Sequence, residues 1–106
     1  MKLRANENVK IVVSEPWDFN SPEGDNIFTG VIIDQTNSSL GEAYLMKVSS
    51  TFQVNGISVS NVVVVPRGNN PKAVNVYYIP DDLLPRFSDI KTITEKLRFI
   101  IVGTIA

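Results

Sequence analysis

The dipeptide Asn55-Gly56 sits between two long runs of alternating apolar residues, and it constrains the fold more than any other feature. Ala43 to Val54 and Ile57 to Val65 carry seven valines, with Tyr44 and Phe52 among them, the composition of half-buried strands. A two-residue connection of this kind needs positive φ at both central positions, which Asn and Gly adopt at least cost. The expectation is a type I′ hairpin in which paired residue numbers sum to 111. Val54 then faces Ile57, Phe52 faces Val59, Ser50 faces Asn61, Val48 faces Val63 and Met46 faces Val65. The opposite face pairs Gln53 with Ser58, Thr51 with Ser60, Ser49 with Val62 and Lys47 with Val64. That second face is polar near the tip and apolar at the base.

Strand signals recur on both sides. Asn8 to Ser14 places Val9, Ile11 and Val13 on one face. Glu15 to Asp25 carries Pro16, Pro22 and Gly24 and reads as a structured loop. Asn26 to Asp34 is a second strand, with Gly30 marking a bulge or a close backbone approach. Gln35 to Glu42 reads as a turn. Ala73 to Ile79 alternates Val74, Val76 and Tyr78 against Asn75, Tyr77 and Ile79, and Arg98 to Ile105 closes the chain as an apolar strand. Asp81 to Arg86 suits one helical turn. Ile90, Ile93 and Leu97 have helical spacing behind Ser88 as N-cap, although their β-branched neighbours weaken that segment.

About six short strands, with at most one short helix near 88–97, predict an all-β fold. A single domain over 1–106 would curl into a small antiparallel β-barrel or sandwich, similar in size to the OB and SH3-like classes.

Chemistry is bounded by what the chain omits. It has no histidine and no cysteine, so the usual ligands of zinc, copper and haem are missing, as are the commonest general base and the thiolate nucleophile. No metal or cofactor is expected, and no catalytic residue is assigned. Ten basic and eleven acidic residues leave a formal charge of −1, which gives no global attraction to nucleic acid or to an anionic membrane. The segment Met1 to Glu7 does not read as a signal peptide, and no apolar run is long enough to span a bilayer as a helix. A cytoplasmic, soluble protein is the expectation.

The charge is nevertheless segregated. Ile11 to Met46 contains six acids and no base, and Ala43 to Pro80 contains Lys47, Arg67 and Lys72 and no acid, before Asp81 and Asp82. The acidic loop Asp18 to Asp25 fails the EF-hand spacing, because Pro22 and Glu23 occupy positions that need an oxygen ligand and glycine.

Candidate contact residues fall in two groups. Trp17 and Phe19 could present an aromatic anchor to a protein partner. Lys47, Arg67, Asn69, Asn70 and Lys72, with Tyr77 as the outward tyrosine, could hold single-stranded nucleic acid by phosphate contact and base stacking. The first expectation is a non-enzymatic interaction module, of accessory, inhibitor or immunity-like type, that binds a protein partner or associates with itself as a homo-oligomer. The alternatives are a nucleic-acid-binding barrel and a carboxylate-dependent enzyme centred on Asp81 and Asp82.

Overall fold

The computed structural model describes residues 3–15, 18–68, 72–90 and 97–106. Seven strands run β1 (Asn8–Val13), β2 (Phe19–Asn20), β3 (Ile27–Ser38), β4 (Gly41–Val54), β5 (Ile57–Pro66), β6 (Ala73–Tyr78) and β7 (Arg98–Ile105). Six of them form one closed antiparallel barrel in the order β4-β3-β1-β7-β6-β5, sealed by pairing of β5 with β4, and β2 adds to β4. The small all-β barrel expected from the sequence is the fold.

The hairpin turns where the sequence places it. Asn55 and Gly56 have φ of 51° and 78°, and Val54–Ile57, Gln53–Ser58 and Phe52–Val59 pair in the expected register. Beyond Phe52 the register changes. Met46 pairs with Val62 and Lys47 with Asn61, so Val48 to Thr51 of β4 stand opposite Ser60 alone. The expected pairs Ser50–Asn61, Val48–Val63, Met46–Val65, Ser49–Val62 and Lys47–Val64 are therefore displaced by three residues. The cause is closure: β4 must bend to pair with β2 and β3 on one edge and β5 on the other, and extra residues on one strand supply the bend.

The slip decides which valines fill the barrel. Val62 and Val64 join the interior with Tyr44, Met46, Val48, Phe52 and Val59, whereas Val63 and Val65 face outward. Inside, Phe52 packs with ring centroids 4.5 Å from Phe28 and 5.1 Å from Phe19. Val9, Ile11 and Val13 of β1 and Val74 and Val76 of β6 point into the same interior.

The outward face of β4, β5 and β6 carries a second apolar layer. Ala43, Leu45, Val63, Val65, Tyr77 and Ile79 are covered by Phe87, Ile90 and Leu97. Phe87 projects from a 3-10 helix, Asp81–Asp89, which is longer than the single turn expected there. Ile90 is already extended, with ψ of 108°, so the helix ends rather than begins near Ser88. The remainder of the helix expected near 88–97, residues 91–96, lies outside the described residues.

One further expectation is corrected, and for Gly30 the second of its two alternatives holds. Gln35 to Ser38 continue β3, and Gly41 and Glu42 begin β4, so the expected eight-residue turn shrinks to Ser39-Leu40. Gly30 meets a close approach rather than a bulge; the bulge of β3 falls between Ile32 and Asp34. The loop Glu15 to Asp25 also contains β2, a pair of residues too short for its alternation to be read.

The barrel order brings the acidic and basic segments together along the β3–β4 ladder, where Lys47 stands opposite Val31. β1 and β3 adjoin on one arc, β4, β5 and β6 adjoin on the other, and β7 joins β1 to β6. None of the described helices is long and apolar enough to cross a membrane.

Candidate docking site

The sequence-predicted residues do not converge. Lys47 pairs with Asn61 in mid-β5, and Arg67 follows that strand's end, six positions or roughly 20 Å further along. Arg67 and Lys72 do share one loop, where the Arg67 amide donates to the Ala73 carbonyl at 2.8 Å and the Lys72 carbonyl accepts from Ile105. Tyr77 lies on the outward face as expected but is not free to stack: it is 4% exposed, held in the second apolar layer under the 3-10 helix. Its neighbour Tyr78 packs against the interior, as the alternation required. Phe19 is likewise a core residue, closing the barrel beside Phe28 and Phe52. Trp17, Asn69 and Asn70 lie outside the described residues.

The acidic loop is occupied with its own bonds. The Glu23 carboxylate accepts from the Thr29 amide at 2.9 Å and from the Thr29 hydroxyl, tying the loop to β3. Among the described residues no group of three or more acidic side chains is placed to hold a metal ion.

Among the described residues, one clearly shifted titratable group is buried. The Tyr44 hydroxyl donates to the Glu42 carboxylate, and burial, reinforced by that bond, raises its pKa. Tyr44 has no exposed surface, so no substrate reaches it from solvent.

The feature that sequence reasoning missed is on β7. On one side β7 pairs with β6 as far as Tyr78–Arg98. On the other side β1 pairs only from Val13–Gly103, with one more bond from the Ser14 amide to the Val102 carbonyl at 3.0 Å. Arg98 to Ile101 therefore extend beyond β1, and among the described residues no strand pairs with them on that side. A strand edge left in this way presents backbone donors and acceptors that another chain can use.

A shallow cleft of about 210 Å³ lies along this edge, lined by Glu15, Asn55 and Phe99 to Val102. It is smaller than the usual enclosure for a small organic ligand. Phe99 is 48% exposed and stacks edge-on against Tyr77, with ring centroids 5.7 Å apart. The alternation of β7 is broken by a bulge between Phe99 and Ile101 that puts both Ile100 and Ile101 in the interior. The sequence signal for the cleft was the run Phe99 to Val102 itself; the mismatch in strand ends, Val13 against Arg98, emerges only from the pairing.

Comparison with protein-family models, curated proteins and solved structures returns no match.

Proposed function

We propose that this barrel is a non-enzymatic interaction module that docks an extended stretch of another polypeptide along Arg98–Ile101. One observation carries the reading: among the described residues, four consecutive residues of β7 lack a strand neighbour on the β1 side, beside a cleft and an exposed phenylalanine. Added strands gain main-chain hydrogen bonds from such an edge and side-chain contacts from the adjoining cleft. Nothing comparable supports the nucleic-acid alternative, because its stacking tyrosine is buried and Lys47 stands apart from Arg67 and Lys72. Asp81 and Asp82 stand in the first turn of the 3-10 helix, a position that favours acidic side chains without any catalytic role.

The test is fluorescence anisotropy with a labelled neutral peptide, acetyl-Thr-Val-Thr-Val-Phe-Val-Thr-amide. Two further versions carry N-methyl groups on alternate residues, one on each set of amides. Strand addition uses one set of peptide amides, so one methylated version should lose binding and the other should keep it. No binding by the parent peptide, or equal binding by all three, overturns the reading.

A further inference from the structure

The cleft is electrically lopsided. Glu15 lines it at the Val102 end, where the preceding residue Ser14 bonds to Val102. Asp18 is close by, since its carbonyl accepts the amide of Asn55, another lining residue, at 3.2 Å. Both acids belong to the segment from Ile11 to Met46 that contains no lysine or arginine. The opposite end of the open edge begins with Arg98, which is exposed. Exposed Phe99 lies between the two ends, nearer Arg98.

Resting on the docking reading above, we infer that the occupant is an extended peptide with a Lys or Arg on the N-terminal side of a large apolar residue. Direction follows from the sheet: every ladder of the barrel is antiparallel. A strand added to β7 in that sense starts beside Ile101, just past the Ser14–Val102 bond, and ends beside Arg98. Its N-terminal side chains meet Glu15, and its following apolar side chain reaches Phe99. On β6, Asn75 faces Val102 and Tyr77 faces Phe99, so the bulge makes three residues of β7 correspond to two of a partner. The cation and the apolar residue of the peptide are accordingly two or three positions apart. A cation on the C-terminal side would instead approach Arg98, where like charge disfavours it.

A short peptide suits this cleft better than a second barrel. Glu15 and Asn55 line the same cleft as Phe99 to Val102, and its volume of about 210 Å³ suits a few side chains of an extended peptide. Along this edge, among the described residues, Arg98 to Ile101 lack a partner, too few for the buried area that a stable dimer requires.

Three labelled peptides test this by anisotropy at low salt: acetyl-Lys-Lys-Thr-Val-Phe-Val-Thr-amide, its Glu-Glu counterpart, and acetyl-Thr-Val-Phe-Val-Thr-Lys-Lys-amide. The first should bind roughly three- to ten-fold more tightly than either of the others, the size expected of exposed ion pairs. The advantage should shrink in salt, and Glu15→Lys should transfer it to the Glu-Glu peptide. Equal affinity of all three, or a preference that Glu15→Lys leaves intact, removes the charge inference while docking stands. Failure of all three to bind removes the docking reading as well. A second copy as occupant would show as a dimer mass by light scattering in the absence of peptide, and would overturn the peptide assignment.

Discussion

Gly30 of β3 lies directly under Met46 of β4: a β-carbon on Gly30 would come within 2.6 Å of the Met46 Cε and closer still to the Lys47 carbonyl oxygen. Gly30 pairs with Val9 on one side and Val48 on the other, so the contact sits where three strands meet. The methionine tip can move, but the carbonyl belongs to the β4 backbone. Gly30→Ala should therefore destabilise the fold by about 2–3 kcal/mol, as overpacking does in a tight interior. For a domain of this size, that lowers the melting temperature by roughly 8–20 °C. Thermal unfolding by circular dichroism measures it, and an unchanged midpoint would mean that the strands are not this close.

Gly56 offers the converse case. Its φ is 78°, and nothing lies within 4 Å of where a β-carbon would project. Gly56→Ala meets no steric obstacle, so its cost is the left-handed backbone alone, about 1–2 kcal/mol. Urea denaturation should show a smaller loss than for Gly30→Ala, with the same slope. A loss equal to or above that of Gly30→Ala would contradict a tight turn here.

These two glycines show how far local signals reach. At Asn55-Gly56 the turn chemistry is contained in two residues, and the near register follows from it. The three-residue slip past Phe52 depends on β4 being held by β2 and β3 as well as β5, a condition no local pattern records. The same limit hid the docking edge. Phe99 to Val102 read simply as apolar strand, and whether β1 would run far enough to cover it depends on how two distant segments align. Tyr77 was misplaced for a related reason. Alternation put it on the outer face correctly, but the cover over that face comes from Phe87, Ile90 and Leu97, beyond the strand's own sequence.

Tyr44 makes stability depend on alkaline pH. Burial, together with its bond to Glu42, lifts its pKa above the ordinary 10.0, so the folded chain keeps that proton where the unfolded chain releases it. Its contribution is fully present below about pH 10 and is lost as pH rises from there through the folded value. Tyr44→Phe should cost about 1 kcal/mol at neutral pH, the net worth of one hydrogen bond, and should flatten this part of the profile. Urea denaturation between pH 8 and 11 compares the two proteins. Parallel profiles would show that Tyr44 is not the group responsible.

Oligonucleotide binding separates the docking reading from its principal rival. With Lys47 roughly 20 Å along β5 from Arg67, few cations can act on one strand of phosphates. Weak counterion release is the consequence. A labelled oligo(dT) should show no anisotropy change at low salt, and Arg67→Glu with Lys72→Glu should alter nothing. Salt-sensitive binding that this double variant abolishes would restore the nucleic-acid reading.

Phe99 and Phe52 should separate docking from folding. Phe52 has no exposed surface and holds the interior ring cluster together, so Phe52→Ala should cost about 3–5 kcal/mol through the cavity it leaves. Phe99 is half exposed, and among the described residues its one ring contact is the edge-on packing with Tyr77. Losing that contact costs about 0.5–1.5 kcal/mol beyond the small area buried, which leaves the barrel folded. Phe99→Ala should nevertheless weaken the strand peptides at least several-fold, because the apolar partner for their phenylalanine is gone. Urea denaturation and peptide anisotropy on the same preparations give both numbers. Should Phe99→Ala keep full peptide affinity, the contact surface lies elsewhere on the barrel; should it unfold the chain as Phe52→Ala does, its ring is structural and the cleft is part of the core.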